Sequence, residues 1–426
     1  MRKSVKFLKA HAVVALVLLA LSQHNLFAEK RTVEIPEEAK KAFDSAIMLT
    51  ASDFEYELTD DGNGVRVTNY TGLETAIKIP AEIEGMPVTE IKWIFDSSGK
   101  EMLDDALGIP AKTIRGEQLY EPILETVVIP DSVKKIIMDY AASKIRNKLK
   151  YVKLSESISE LPNDLFSECK NLEYIYIPDS VVSIGDNAFA STALKSIDVP
   201  DGVSLGKSVF KRCSNLEKFI LPKNIKEIPE SFFSECKSLH NIDIPESVTN
   251  IGEQAFFGTG LEKINFPKKL SKIGSNAFAF CENLEEIIVP DSVTVIGNGA
   301  FSNSGIKKLV ISDNVTNVTE NGRYGTLVWA GCSFLEEVHL SNKMTFLPYE
   351  IEESSNIKVM NFPTSLKHSQ LRSFPASLEN IIIPDSLTAV SFLENCFSET
   401  KLPLLTQKRL RELGYKDSFA GTRASK

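Results

Sequence analysis

The chain has 426 residues, of which 43% are hydrophobic and 25% are charged, and its formal net charge is −9. This composition is typical of a folded protein and excludes disorder for most of the chain. The acidic balance argues against nonspecific nucleic-acid binding, which needs a basic surface.

The first residues have the order of a secretory signal peptide. Basic residues precede an apolar core from Ala12 to Leu21, and polar residues and Ala28 follow. This core is too short to span a membrane comfortably, and no cysteine follows it as a lipid anchor would require. We predict a signal peptide over residues 1–28 and a secreted, cell-surface or periplasmic location, with an uncleaved anchor or a buried helix as the alternative. Cleavage would change the net charge from −9 to −13, because it removes four basic residues and no acidic one.

Two N-terminal segments follow. Residues 29–52 favour a short helix. Residues 53–91 contain two alternating runs around DGNG (61–64), which is a hairpin turn sequence. We predict that residues 53–91 form an N-terminal hairpin cap and a first turn, and that the hairpin covers the apolar end of the repeats.

From residue 124 the chain repeats a segment that begins with Leu, alternates in character and ends at Pro. Most steps between copies are 22 or 23 residues, a period typical of leucine-rich solenoids. The clear copies are LETVVIP (124–130), LEYIYIP (172–178), LKSIDVP (194–200), LEKFILP (216–222), LHNIDIP (239–245), LEKINFP (261–267), LEEIIVP (284–290) and LENIIIP (378–384). The weaker copies are LKYVKLS (149–155), IKKLVIS (306–312), LEEVHLS (335–341) and IKVMNFP (357–363).

The alternation predicts a strand with one core side and one exposed side. In the copy from Leu284, Ile287 faces the core and Ile288 faces outward. Pro290 ends the strand because it has no N–H for a ladder. We expect Gly297 to ease a tight backbone bend further on.

Each repeat also has an inner corner, Phe-x-x-Cys, in which Thr or Ser replaces Cys in several copies. Stacked turns would place Cys213 and Cys236 at a separation that a disulfide tolerates. However, the exchange with Thr and Ser favours a small buried side chain over a bridge partner. We therefore predict mostly free, buried and unreactive thiols.

The strand, proline, Ile-Gly and Ala-Phe-x-x-Cys elements, recurring in register over about residues 70–396, resemble the BspA-like leucine-rich repeats of bacterial surface and secreted proteins. The resemblance implies an α/β repeat solenoid, that is, a leucine-rich repeat array with a parallel concave β-sheet, an N-terminal hairpin cap and a C-terminal helical cap. It assigns residues 92–396 to the repeats and 397–426 to the cap helix and tail. It also implies protein recognition, often adhesion to host or neighbouring-cell proteins.

Several segments depart from the repeat. Residues 92–123 are either a degenerate turn or an insertion, and residues 136–148 favour a helix on the convex side. Residues 319–331 lengthen one repeat and form either a surface bulge or a recognition loop, with Trp329 in the usual Phe position. Residues 402–413, followed by Gly414, predict an amphipathic helix with its C-cap.

No residue pattern predicts catalysis. Cys236 and His240 are close in sequence, but Cys236 occupies the repeated corner position, and a nucleophile has no reason to recur in successive turns. No CxxC pair suggests zinc. The segment 202–208 imitates a phosphate-binding loop but has the wrong glycine spacing. We predict no enzyme activity, cofactor or metal.

The outward side of the predicted concave sheet is the candidate site. Aromatic or apolar side chains at outward positions favour contact with a partner. We predict a secreted or cell-surface module that binds a protein partner, with adhesion as one role. A structural component of the envelope and the scaffold of an enzyme are the alternatives. The candidate contact residues are Tyr151, Tyr174, Tyr176, Lys218, Ile220 and Trp329.

Overall fold

The computed structural model describes residues 34–72, 74–92, 109–114, 117–121, 124–138, 148–315, 328–345, 347, 351, 356–367 and 373–419. The chain divides into two compact units, Met1–Pro36 and Glu37–Lys426. In the first unit only residues 34–36 are described, so the predicted signal peptide lies outside the described residues. The second unit contains the repeats.

The predicted repeat solenoid is confirmed. The Leu-containing segment of each repeat forms a short strand that pairs in parallel, and in register, with the same segment of the next repeat. We call the outward side of these strands the strand face. The strands are β1 (Ile47–Met48), β4 (Ala76–Lys78), β9 (Thr126–Val128), β11 (Tyr151–Lys153), β13 (Tyr174–Tyr176), β15 (Ser196–Ile197), β17 (Lys218–Phe219), β21 (Glu286–Ile288), β23 (Lys308–Val310), β24 (Glu337–His339), β25 (Val359–Asn361) and β26 (Asn380–Ile382).

A second set of strands, the lateral ladder, is formed mostly by the segment that ends in the Ile-Gly pair. Its strands are β2 (Phe54–Leu58), β3 (Val65–Tyr70), β5 (Glu82–Ile83), β6 (Met86–Lys92), β10 (Lys135–Ile137), β12 (Glu160–Leu161), β14 (Ser183–Ile184), β16 (Ser204–Leu205), β18 (Glu227–Ile228), β19 (Asn250–Ile251), β20 (Lys272–Ile273) and β22 (Val295–Ile296). Across the continuous stretch 148–315, the turns contain strands and tight turns but no helix.

The Ala-Phe corner stacks the repeats on a third side. The Phe N–H of one turn donates to the carbonyl preceding the Phe position of the next turn, as from Phe233 to Ala255 at 2.8 Å. The Phe rings form a buried stack, with Phe256 and Phe278 centroids 5.2 Å apart and nearly parallel. Burial of apolar area and ring stacking in successive turns therefore stabilise the array.

The corner Cys position also has a polar role. Cys213 donates its thiol hydrogen to the carbonyl of Phe189 at 3.0 Å, and Cys281 donates to that of Phe256 at 3.1 Å. Thr259, in the same position, donates to Phe256 at 3.0 Å. This shared donor explains why Cys, Thr and Ser exchange there, and all six cysteines are free and buried.

The glycine of the Ile-Gly pair is required for a reason other than the one predicted. Gly297 does not have a positive φ, so it does not relieve a backbone bend. A Cβ at Gly297 would lie 2.3 Å from the backbone nitrogen of Ser275 in the preceding turn, and one at Gly274 would lie 2.6 Å from that of Glu253. The glycines are therefore set by the close approach of stacked turns.

The N-terminal end contains the predicted short helix and the predicted hairpin. The helix, α1, covers Glu37–Ser45 and leads into β1. A 3₁₀ turn at Ala51–Asp53 precedes β2, and β2 and β3 pair in antiparallel orientation around residues 61–64. The capping role of the hairpin remains a prediction.

The segment 92–123 is an insertion, because β4 pairs directly with β9 in the next stacked turn. Within it, β7 (Ile109–Ile114) and β8 (Glu117–Glu121) form an antiparallel pair. Where a helix was predicted over 136–148, residues 136–137 belong to β10, and residues 139–147 lie outside the described residues.

The predicted C-terminal helix is present as α2 (Leu404–Glu412), and Gly414 follows it with φ 112°. Arg409 fastens α2 to the last turn through its Nη2 donor, which lies 2.7 Å from the carbonyl of Leu387. Among the described residues, no helix has the length and apolar character needed to cross a membrane.

Candidate partner-binding surface

The strand face alternates as the sequence predicted. In β13, Ile175 is buried, whereas Tyr174 and Tyr176 on either side are half-buried and face outward. In β17 and the residue after it, Phe219 is buried, whereas Lys218 and Ile220 are exposed. The period of two therefore separates residues that support the solenoid from residues available for contact.

The N-terminal end of this face is covered by the chain itself. Helix α1 packs over β4, β9 and β11. Its Phe43 ring lies 6.2 Å from the ring of Tyr174, and Phe43 is 7% exposed. Thr126 on β9 is only 3% exposed, although its position in the strand is an outward one.

Tyr151 and Tyr174 are therefore not freely exposed, which corrects the prediction that they contact a partner directly. Burial raises the pKa of Tyr151, and the neighbouring Glu173 and the Glu38 carboxylate of α1 raise it further. The hydroxyl of Tyr151 also donates to Glu173 Oε2 at 3.3 Å. The sequence placed these tyrosines on the correct side of the sheet, but it gave no sign of the helix that covers them.

Tyr176 lies at the border of the covered region. Its hydroxyl donates to Glu156 Oε1 at 3.0 Å, which holds the half-buried ring in one position. On the next strand, β15, Ser196 is exposed and Asp198 is half-buried. The uncovered strand face begins here.

The centre of the strand face contains a cleft of about 310 Å³ between residues 218–221 and 241–245. Within the stretch 148–315, residues 241–243 and 263–265 keep the in-out alternation but form no strand. Ile220 is 66% exposed at this cleft, beside Lys218, Asn241 and Asp243. The structure therefore brings together Lys218 and Ile220, two of the predicted contact residues, in an accessible position.

The C-terminal part of the strand face has a charged network next to apolar residues. Glu337 on β24 contacts His339 Nε2 at 2.6 Å and Lys308 Nζ at 3.4 Å. The hydrogen bond from His339, together with Lys308, lowers the pKa of Glu337. Ile288 on β21 is 58% exposed, so apolar and charged contacts are both available. Sequence reasoning did not select this group, although its residues stand at the same outward positions.

Trp329 is a wrong prediction as a contact residue. It is fully buried, because it occupies the core-facing Phe position of its repeat. The neighbouring Val328 carbonyl accepts the N–H of Phe301 at 2.8 Å, as in the other corners. Residues 316–327 of the predicted loop lie outside the described residues.

A second cleft, of about 640 Å³, marks the one interruption of the lateral ladder between β12 and β22. Elsewhere the glycine N–H closes the ladder, as where Gly252 donates to Ile228 at 2.8 Å. Pro229 replaces this glycine after β18 and has no N–H to offer Leu205. β16 and β18 are accordingly unpaired.

The candidate catalytic pair is not assembled. Cys236 donates its thiol hydrogen to the carbonyl of Phe210 at 3.1 Å, and Nδ1 of His240 lies 3.1 Å from the carbonyl oxygen of Gly260. Burial raises the pKa of Cys236 well above its usual value, which disfavours the nucleophilic thiolate. Among the described residues, no group of three or more His, Cys, Asp or Glu could hold a metal.

The parallel ladders, the buried Phe stack and the outward-facing strand side define a leucine-rich repeat solenoid. The model of the BspA type leucine-rich repeat region matches residues 112–213, 203–326 and 323–423. The chain belongs to this family.

Solved structures agree on the fold. A leucine-rich repeat protein from Bacteroides ovatus is 20% identical over 87% of this chain and 99% of its own, with a TM-score of 0.64. A leucine-rich cell surface protein from Faecalibacterium prausnitzii is 23% identical over 90% of this chain and 97% of its own, with a TM-score of 0.46. The pneumococcal vaccine antigen PcpA is 19% identical over 88% of this chain and 98% of its own, also with a TM-score of 0.46. The comparison with curated proteins gives no match.

Proposed function

We propose that this protein is secreted or displayed on the cell surface and binds a protein partner through the uncovered strand face between β15 and β26. Ile220 carries the proposal, because it is an apolar side chain, 66% exposed, at the opening of a central cleft. An apolar anchor surrounded by Lys218, Asn241 and Asp243 resembles the centre of a protein interface, where an anchor is flanked by polar groups. Adhesion to another cell is one role that such binding would serve.

The proposed location depends on the order of basic, apolar and small residues at the N-terminus. We expect the mature chain to begin near Glu29. Intact-mass measurement of the protein from its native source tests this expectation, and a mass that still includes Met1 would contradict it.

The proposed role is binding rather than catalysis. The thiols are buried, and each of four corner cysteines donates its hydrogen to a carbonyl. Among the described residues, the strand face presents no nucleophile hydrogen-bonded to a base, which is the usual sign of covalent catalysis. Its chemical features suit recognition.

Photo-crosslinking tests the binding surface. A photoreactive phenylalanine replaces Ile220 in one variant and Val182 in a matched control, and both variants are expressed in the native cell. Val182 is 57% exposed but precedes β14 on the lateral side, so the two sites have similar exposure on different faces. We expect a discrete protein adduct from position 220 and none from position 182.

Adducts of equal yield from both positions, or from 182 alone, would contradict the proposal. No adduct from either position, with the chain fractionating with the envelope, would favour a structural role. Thermal melting of each variant verifies that the substitution leaves the fold intact.

A further inference from the structure

We propose that the strand face over β9, β11 and β13 is a binding site for a short amphipathic helix of a partner protein, and that α1 occupies this site until the partner displaces it. This inference rests on the proposed function and extends it by naming the form of the partner segment. In recognition of this kind, apolar residues spaced three or four apart on one helix side dock against a complementary surface.

Helix α1 shows what the surface accepts. Its buried residues are Ala39 and Phe43, which are four apart and therefore lie on the same side of the helix. Phe43 packs its ring against Tyr174 with the ring planes tilted by 52°. An aromatic anchor at i+4 to a small residue is thus the pattern that fits this part of the strand face.

The covered side chains suit a contact surface better than a permanent core. Tyr151 and Tyr174 stand at outward positions and keep half-buried rings even under α1. They adjoin Tyr176, which borders the uncovered strand face with Ile220. Removal of α1 would therefore join the tyrosines to the proposed partner surface.

The attachment of α1 is weak enough for displacement. A helix of nine residues is too short to be stable alone, and only two of its residues are buried. The polar contacts that the structure shows between α1 and the strand face are few, such as Lys78 Nζ to the carbonyl of Asp44 at 3.4 Å. Elements with few buried apolar contacts open locally without global unfolding.

A peptide of residues 34–46, labelled with a fluorophore, tests the site in trans. The full chain carrying Phe43→Asp should release α1, because a carboxylate cannot remain in the apolar contact. By fluorescence anisotropy, we expect the peptide to bind this variant at least tenfold more tightly than it binds the unmodified chain, where α1 competes. A peptide that itself carries Phe43→Asp is the matched control and should not bind.

Equal affinity of the peptide for both chains would overturn the proposal, as would binding that survives Tyr174→Ser in the released chain. Hydrogen exchange of a milder variant, Phe43→Ala, covers the case in which Phe43→Asp fails to fold. We expect amides of 37–45 to exchange at least tenfold faster while those of 126–128 and 151–153 keep their protection. Joint loss of protection would make α1 a structural cap and refute displacement. These assays use no external partner, so they can fail while crosslinking at position 220 succeeds.

Discussion

The buried Phe stack provides the sharpest test of how the repeats hold together. Phe278 and Phe280 are two residues apart in the same corner, but Phe278 is fully buried and Phe280 is 46% exposed. We predict that Phe278→Ala destabilises the chain strongly and that Phe280→Ala does so only slightly. The pair isolates burial, because residue type and repeat are the same.

The contacts of each ring set the expected magnitudes. Phe278 lies 5.2 Å from Phe256, 5.9 Å from Phe301 and 5.6 Å from Phe266. Removing a buried Phe side chain costs about 3–5 kcal/mol of unfolding free energy, so we expect about 4 kcal/mol for Phe278→Ala. Phe280 has one printed ring neighbour, Phe257 at 5.1 Å, and we expect a loss of about 1 kcal/mol.

Backbone conformation does not disturb this comparison. Phe280 has φ of 59°, a left-handed conformation that alanine tolerates no better than other L-residues. The substitution therefore removes the ring and leaves the backbone strain. Any loss in stability reports the side chain alone.

Equilibrium unfolding in guanidinium chloride measures both variants, and hydrogen exchange of the turns at 256–301 verifies where the loss occurs. The second measurement is needed because repeat arrays can unfold in parts. Similar destabilisation by both substitutions would refute the argument that the stacked Phe positions stabilise the array. A larger loss for Phe280→Ala would refute the assigned burial.

Three further outcomes are expected. Burial raises the pKa of Cys213 and Cys281 to about 11 and that of Cys396 to about 12, so iodoacetamide at pH 8 should label the native thiols far more slowly than the unfolded ones; rapid native labelling of Cys213 would contradict this. Mass mapping without reductant should find no Cys213 to Cys236 bridge at high occupancy, as all six cysteines are free in the structure. Cys213→Thr should retain the donor to the Phe189 carbonyl and cost about 1 kcal/mol less than Cys213→Val, which loses it; equal melting of the two variants would argue against a polar role for this position.

The repeat register was predictable because two periods coincide in the sequence. The step of 22 or 23 residues fixed which segments stack, and the alternation within each segment fixed which side chains face inward. Ile175 is accordingly buried between two outward tyrosines. The same pattern correctly placed Lys218 and Ile220 on the accessible side.

The cover over the tyrosines was not predictable from these patterns. Helix α1 precedes Tyr174 by about 130 residues in the chain, and no periodicity links the two. Their contact depends on how the N-terminal segment packs after the solenoid has formed. Trp329 failed as a candidate for a different reason, since its position in the Phe slot predicted burial more directly than its size predicted contact.

The ladder break at Pro229 had a signal that was available. In the neighbouring repeats an Ile-Gly pair stands where residues 228–229 read Ile-Pro, and only the glycine has the N–H that closes the lateral ladder. The close approach at Gly297 had no comparable signal, because the distance between stacked backbones is a property of the assembled turns.

The central claim is that a protein partner binds the uncovered strand face. The direct measurement is the affinity of a partner captured by crosslinking at position 220, compared between the unmodified chain, Ile220→Asp and the lateral control Val182→Asp, with the melting of each variant measured in parallel. We expect Ile220→Asp to weaken binding at least about tenfold with an unchanged melt, in the range seen for buried apolar anchors, and Val182→Asp to leave it unchanged. Unchanged affinity for Ile220→Asp, or an equal loss for Val182→Asp, would contradict the claim.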